Sequence, residues 1–245
     1  MATKFNEKFF DEINTEEKAY WLGFLWCDGY VGKRIRDNNR IEYNIKLSLK
    51  ESDFKHLEKF NNSLEGEYKI NFYKSNGFKG YEYKNYKECR LFITNLHMGG
   101  LLQDKYGIIP NRVDSFKCYN YVPYEFKRHF IRGVLDADGS FLHYESFCKK
   151  KNCIENKYSL TFGADEFLLK EIEKHLSENN IVEFTDRKIL TRHKGKDGSY
   201  RTLSFSGKTQ NINILNFLYK DSSIYLDRKY DKYLDIIKGV MSFVK

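Results

Sequence analysis

Residues 131–141 read I-R-G-V-L-D-A-D-G-S-F, a helical segment whose last turn carries two aspartates and stops on a glycine. Carboxylates there face the negative end of the helix macrodipole, at a cost of roughly 0.3–1 kcal/mol each. A weaker copy, W-L-G-F-L-W-C-D-G-Y-V, occupies residues 21–31. A single Asp-Gly pair would merely end a helix; two matched copies ask for a common purpose. The first helix has Asn14 as its expected N-cap, with Glu17 as capping-box partner. The second has Pro123 in its opening turn and Gly139 as its stop, while Gly29 is the expected left-handed terminator of the first.

The same order of elements follows each copy. I-E-Y-N-I-K-L-S-L-K (41–50) alternates Ile41, Tyr43, Ile45, Leu47 and Leu49 with polar residues, the pattern of a half-buried strand. Its counterpart, K-Y-S-L-T-F-G (157–163), turns Tyr158, Leu160 and Phe162 inward. Amphipathic helices come next, 52–64 and 164–176, aligning Asp53 with Asp165 and Leu57 with Leu169. Strand-like segments (88–95, 184–193 and 199–207) and helical tails close the halves. The chain therefore reads as α+β, two pseudo-symmetric αββαββα halves covering residues 1–115 and 116–245. A duplicated domain accounts for the long period better than a solenoid does.

Composition narrows the function. The 245 residues include 41% apolar residues, 20 Phe and 19 Tyr, enough for a packed core. Net charge is +8, and both halves are basic: 20 Lys+Arg against 17 Asp+Glu in residues 1–120, then 22 against 17 in residues 121–245. That balance favours a polyanionic partner. Five cysteines without a C-x-x-C pair, and no histidine at finger spacing, argue against structural zinc. Free thiols suit a reducing compartment, the N-terminus is too charged for a signal peptide, and no run is of membrane-spanning length. The expectation is an intracellular protein of cytoplasm or organelle matrix, not secreted, with no membrane partner.

Residues 131–139, I-R-G-V-L-D-A-D-G, resemble the LAGLIDADG motif of homing endonucleases, and residues 21–29 resemble a degenerate copy of it. Two motifs in one chain look like the single-chain members, which act as monomers. The resemblance implies antiparallel sheets forming a DNA-binding saddle and two packed motif helices at the interface. Small residues four apart, Gly23 with Cys27 and Gly133 with Ala137, would let those helices approach closely. Asp28 and Asp138 would then lie side by side as catalytic metal ligands, assisted by the main-chain carbonyls of Cys27 and Ala137. Oxygen donors of this kind suit Mg²⁺, two or three ions shared by the halves. The sixth motif position is Asp136 in the second copy but Trp26 in the first, a change assigned to packing.

The family also places a basic residue near the scissile phosphates in each half, which points to Arg112 and Lys229. For DNA contact, the outward face of strand 41–50 offers Asn44, Lys46, Ser48 and Lys50, a set suited to the major groove. Arg34, Arg36, Arg40, Arg90, Lys157, Ser159, Thr161, Arg187, Lys188, Arg192 and Arg201 are further candidates, some of them phosphate contacts. The implied function is site-specific, divalent-metal-dependent cleavage of double-stranded DNA leaving short 3′ overhangs, promoting mobility of an intron or gene. The alternative is an RNA maturase, with intron RNA as partner, or a non-cleaving DNA-binding protein on the same scaffold. The six histidines show no spacing that suggests metal ligation.

Overall fold

A computed structural model of the chain describes residues 3–37, 39–75, 86–110, 116–185 and 200–241. The first half runs α1 (Glu16–Asp28), β1 (Gly29–Ile35), β2 (Ile41–Lys50), α2 (Phe54–Ser63), β3 (Asn71–Ser75), β4 (Tyr86–Thr94) and α3 (Leu96–Asp104). A short helix, α4 (Phe116–Asn120), opens the second half. There α5 (Lys127–Asp138), β5 (Ser140–Cys148), β6 (Cys153–Asp165), α6 (Glu166–Glu178), β7 (Tyr200–Ser206), α7 (Lys208–Tyr219) and α8 (Asp227–Met241) follow. The first half thus has the expected αββαββα order. In the second, most of the remaining strand expected over 184–193 lies outside the described residues.

Two antiparallel sheets result, β1-β2-β4-β3 and β5-β6-β7. Helices α2 and α3 cover one face of the first sheet, and α6 and α7 cover one face of the second. Strand β2 shows why: Tyr43, Ile45, Leu47 and Leu49 are buried and the residues between them are not. Because side chains alternate, the polar set must stand on the opposite face, which is uncovered among the described residues. Ile41, at the strand's start, is 38% exposed.

Helix α1 starts one residue later than the sequence suggests. Thr15 is the N-cap, its Oγ1 accepting from the Lys18 N–H at 3.3 Å, while Asn14 Oδ1 accepts from Lys18 Nζ. Glu17 does not close a capping box, because its carboxylate accepts from Ser63 Oγ on α2. Thr15→Ala should therefore cost about 1 kcal/mol and Asn14→Ala no more than about half that. Urea denaturation of both variants checks the order.

Gly29 and Gly139 are also not left-handed. Their φ/ψ values are −74°/156° and −94°/173°, extended, and each helix passes straight into a strand. Glycine is needed there for space. A Cβ on Gly29 would lie 2.6 Å from the Leu25 carbonyl oxygen, and one on Gly139 would lie 2.5 Å from Leu135 Cδ1 and 2.9 Å from the Thr161 carbonyl oxygen.

The two motif helices pack against each other at their small residues. A Cβ on Gly23 would sit 2.2 Å from the carbonyl oxygen of Phe130, and one on Gly133 would sit 2.2 Å from that of Tyr20. Around this contact Tyr20, Trp21, Phe24, Phe130 and Val134 are fully buried, continuous with the cores under both sheets.

Candidate active site and nucleic-acid face

Asp28 and Asp138 are the last residues of α1 and α5, the former half-buried and the latter exposed. Cys27 and Ala137 beside them are half-buried against the core. The two helix ends are related through Lys229 of α8. Its ammonium donates to the carbonyls of Leu135, Asp136 (2.7 Å) and Gly139 (2.8 Å), capping the last turn of α5. The same ammonium lies within electrostatic reach of Asp28 and Cys27 at the end of α1. A cation at this point offsets the negative ends of two helices.

Lys229 is only 6% exposed, and burial pulls its ammonium down to about 8, against the opposing pull of Asp136. In the unfolded chain the group returns to its ordinary value of 10.5. Between these values the unfolded state binds more protons, so this lysine makes stability rise with pH across that window. Relative to Lys229→Met, the parent protein should gain stability from pH 8 to pH 10; denaturation at several pH values measures the difference.

Two residues before the exposed aspartate, Asp136 has a different job. It is fully buried and accepts from Tyr20 Oη of α1 (2.8 Å), Tyr219 Oη of α7 (2.5 Å) and the Leu226 N–H ahead of α8 (2.8 Å). Burial pushes its carboxyl upward, while Lys229 and the three donors pull it back. Both phenols are held well above their usual range by burial and by the adjacent carboxylate, so they remain protonated donors. Since Tyr20 gives its proton to Asp136, its oxygen accepts from His56 Nε2 at 2.9 Å. Burial lowers His56 to about 3 and keeps it neutral, and its Nδ1 is a buried atom without a hydrogen-bond partner.

Arg132, also fully buried, completes the joint between the helices. It donates to the carbonyls of Ile224 (3.0 Å) and Leu218 (2.8 Å) and to Glu16 of α1 (2.6 Å). The sixth motif position of α1, Trp26, is 5% exposed and packs within the core. The acid at this position is thus a tertiary anchor of one half. None of Tyr20, His56, Arg132 and Tyr219 stands out in the sequence, because their partners are 36 to 116 residues away.

Could a metal be held here? The described residues contain no group of three or more His, Cys, Asp or Glu that would form a complete cage. Two carboxylates at helix ends are an oxygen-only donor set, which fits a hard divalent ion that fills its shell with waters and phosphate oxygens. Softer metals would ask for the sulfur or imidazole ligands of a closed site.

The uncovered faces carry most of the candidate DNA contacts. Asn44, Lys46, Ser48 and Lys50 lie on the outward parity of β2, with Arg34 and Arg90 on the same face of β1 and β4. Lys157, Ser159 and Thr161 hold the equivalent parity on β6. Several of the cations are already committed: Arg36 to Glu42 (2.8 Å), Arg90 to Glu88, and Lys157 to Glu155 (2.5 Å). Arg40 follows the turn between β1 and β2. Arg201 differs from the rest: it shares the parity of buried Leu203 and Phe205 and pairs with Glu166 of α6 at 3.1 Å, on the helix side. Arg112, Arg187, Lys188 and Arg192 lie outside the described residues.

No family profile matches the sequence, and no curated protein does. Solved structures match over nearly the whole chain. The meganuclease I-SmaMI bound to uncleaveable DNA with a TTCT central four superposes with a TM-score of 0.61 at 13% identity, covering 94% of this chain and 92% of that one. The I-LtrWI LAGLIDADG homing endonuclease bound to target DNA gives 0.60 at 10% identity, covering 93% and 91%. I-SmaMI bound to an uncleaved DNA target in the presence of calcium ions gives 0.56 at 12% identity, covering 90% and 89%. The chain has the LAGLIDADG homing endonuclease fold, with its two pseudo-symmetric halves.

Proposed function

We propose that this chain, built on the LAGLIDADG homing endonuclease fold, is a monomeric, divalent-metal-dependent endonuclease that cuts both strands of a long asymmetric DNA site. Short 3′ overhangs and mobility of its own intron or gene belong to the same reading, with residues 1–115 and 116–245 each engaging one side of the site. One observation carries it: the buried ammonium of Lys229 caps the acidic end of α5 and lies within electrostatic reach of Asp28 at the end of α1. A pure binding surface has no use for carboxylates beside a phosphate backbone.

Asp28 and Asp138, with the main-chain oxygens of Cys27 and Ala137, would hold two or three Mg²⁺ ions, which supply Lewis acidity and an acidified water when bound. Lys229 fixes the last turn of α5, so that Asp138 rides on a rigid end. Some of the cations on the uncovered sheet faces neutralise phosphates and orient the duplex.

A second reading, a DNA-binding protein or RNA maturase on this scaffold, draws on the same lysine. Lys229 gives its protons to three main-chain carbonyls at the end of α5, which is a structural role that a binding protein would equally need.

The test is incubation with Mg²⁺ and genomic DNA of the source lacking the gene, followed by sequencing of new ends. Discrete double-strand ends with short 3′ overhangs support the endonuclease. Tight binding that weakens steeply with salt, without new ends, supports the second reading.

A further inference from the structure

Each uncovered sheet face begins with one cross-strand row beside a motif aspartate, and the two rows are chemically unlike. In the first sheet the row is Tyr30, Lys46 and Phe92: Tyr30 follows Asp28 by two residues, and Lys46 is the register partner of both rings. Val31, Ile45, Leu47, Leu91 and Ile93 on either side are buried, which turns these three side chains to the uncovered face. At the same place in the second sheet, two residues after Asp138, the row is Ser140, Thr161 and Ser204.

The first row is costly to leave in water. Tyr30 and Phe92 are each 41% exposed, and the Lys46 ammonium sits 5.0 Å from the Tyr30 ring centroid, braced by a cation–π contact. Arg36 and Arg90 of the same sheet are paired with glutamates, Arg90 lying in addition over the Tyr73 ring at 4.3 Å. A braced ammonium between two apolar ring edges matches a major-groove surface with acceptors flanked by an apolar patch. Guanine presents O6 and N7 as acceptors, and thymine presents its methyl group. Hydroxyls donate and accept equally and pair with either kind of base edge.

We infer that the protein reads the two sides of its cleavage centre unequally. The Tyr30–Lys46–Phe92 row selects a guanine beside a thymine methyl, and the Ser140–Thr161–Ser204 row accepts any base. This rests on the DNA-cleaving reading above and names the specificity determinants within it.

A randomised duplex library, selected by binding to the full chain, tests both. The centre is located afterwards from the ends produced with Mg²⁺. The parent should enrich guanine on one side of the centre by about 10-fold, with the mirrored position flat. Lys46→Ala should erase that preference and leave the rest of the profile and the thermal midpoint unchanged. Replacing the guanine with 7-deazaguanine, which removes the N7 acceptor, should weaken the parent and leave Lys46→Ala unaffected.

Equal selectivity on both sides overturns the inference. So does a Lys46→Ala protein that binds every sequence more weakly with a salt slope lower by about one, the mark of a phosphate contact. Failure of the parent to select any duplex overturns instead the DNA-cleaving reading on which the inference stands.

Discussion

Asp138→Asn is expected to slow cleavage by at least about 10³-fold while leaving affinity for the target within a few-fold of the parent. In the proposed role of metal ligand, loss of its charge forfeits several kcal/mol of transition-state stabilisation, and each 1.4 kcal/mol or so is a factor of ten. Binding is spread over many phosphate and base contacts, to which this carboxylate adds repulsion rather than attraction. Asp28→Asn should behave alike if, as proposed, both helix ends serve one site. The contrasting variant is Asp136→Ala, two residues away. It removes one carboxylate from two phenols and a backbone N–H, leaving Lys229 and Arg132 buried without it. Removing one partner from such a cluster costs about 3–5 kcal/mol. Single-turnover cleavage and denaturation of all three proteins separate the roles. A fully active Asp138→Asn protein would end the shared-site mechanism.

Gly133→Val and Gly23→Val are expected to be the most damaging substitutions for folding. The first Cβ carbon alone would lie 2.2 Å from a main-chain oxygen of the facing helix, where no side chain can move aside. The helices must separate, at about 3 kcal/mol or more, and Asp28 and Asp138 would no longer be held in one arrangement. Two neighbouring glycines of α3 supply the control. A Cβ on Gly99 would lie 2.1 Å from Tyr43 Cβ, whereas one on Gly100 comes no nearer than 3.5 Å to Tyr43 Cε2. Gly100→Ala should therefore stabilise the protein by up to about 1 kcal/mol through helix propensity alone, while Gly99→Ala should destabilise it. Thermal melts of the four variants test the ordering.

Much of this architecture is legible in one dimension because its causes are local. Alternation in residues 41–50 fixes which side of β2 is buried, and a glycine at each motif end fixes where helix gives way to strand. The duplication stands out because both copies keep small residues and aspartate at the same spacing. Legibility fails where two choices are equally local. Asn14 and Thr15 can each cap α1, and the decision came from Lys18, whose N–H bonds one and whose ammonium bonds the other. It fails again at Gly29 and Gly139, where the reason for glycine is a neighbour's atom and not a dihedral angle.

By itself the sequence determined the element order of the first half, the inward faces of β2 and β6, the pairing of the motif helices through glycine, and the two aspartates at their ends. Those follow from periodicity, residue size and position, all short-range properties. Only the tertiary structure decided that Asp136 is an anchor and Asp138 an exposed helix end, though they stand two residues apart in one motif. A helix turns by about 100° per residue, so neighbouring carboxylates face different surroundings, and only the folded neighbours say which is wet. Only the structure, likewise, showed Lys229, expected beside the scissile phosphates, as the buried cap of α5, and set Tyr30, Lys46 and Phe92 in one row. Those partners come from strands and helices far apart in the chain, and hydrogen bonds and side-chain rows between them exist only after it has closed.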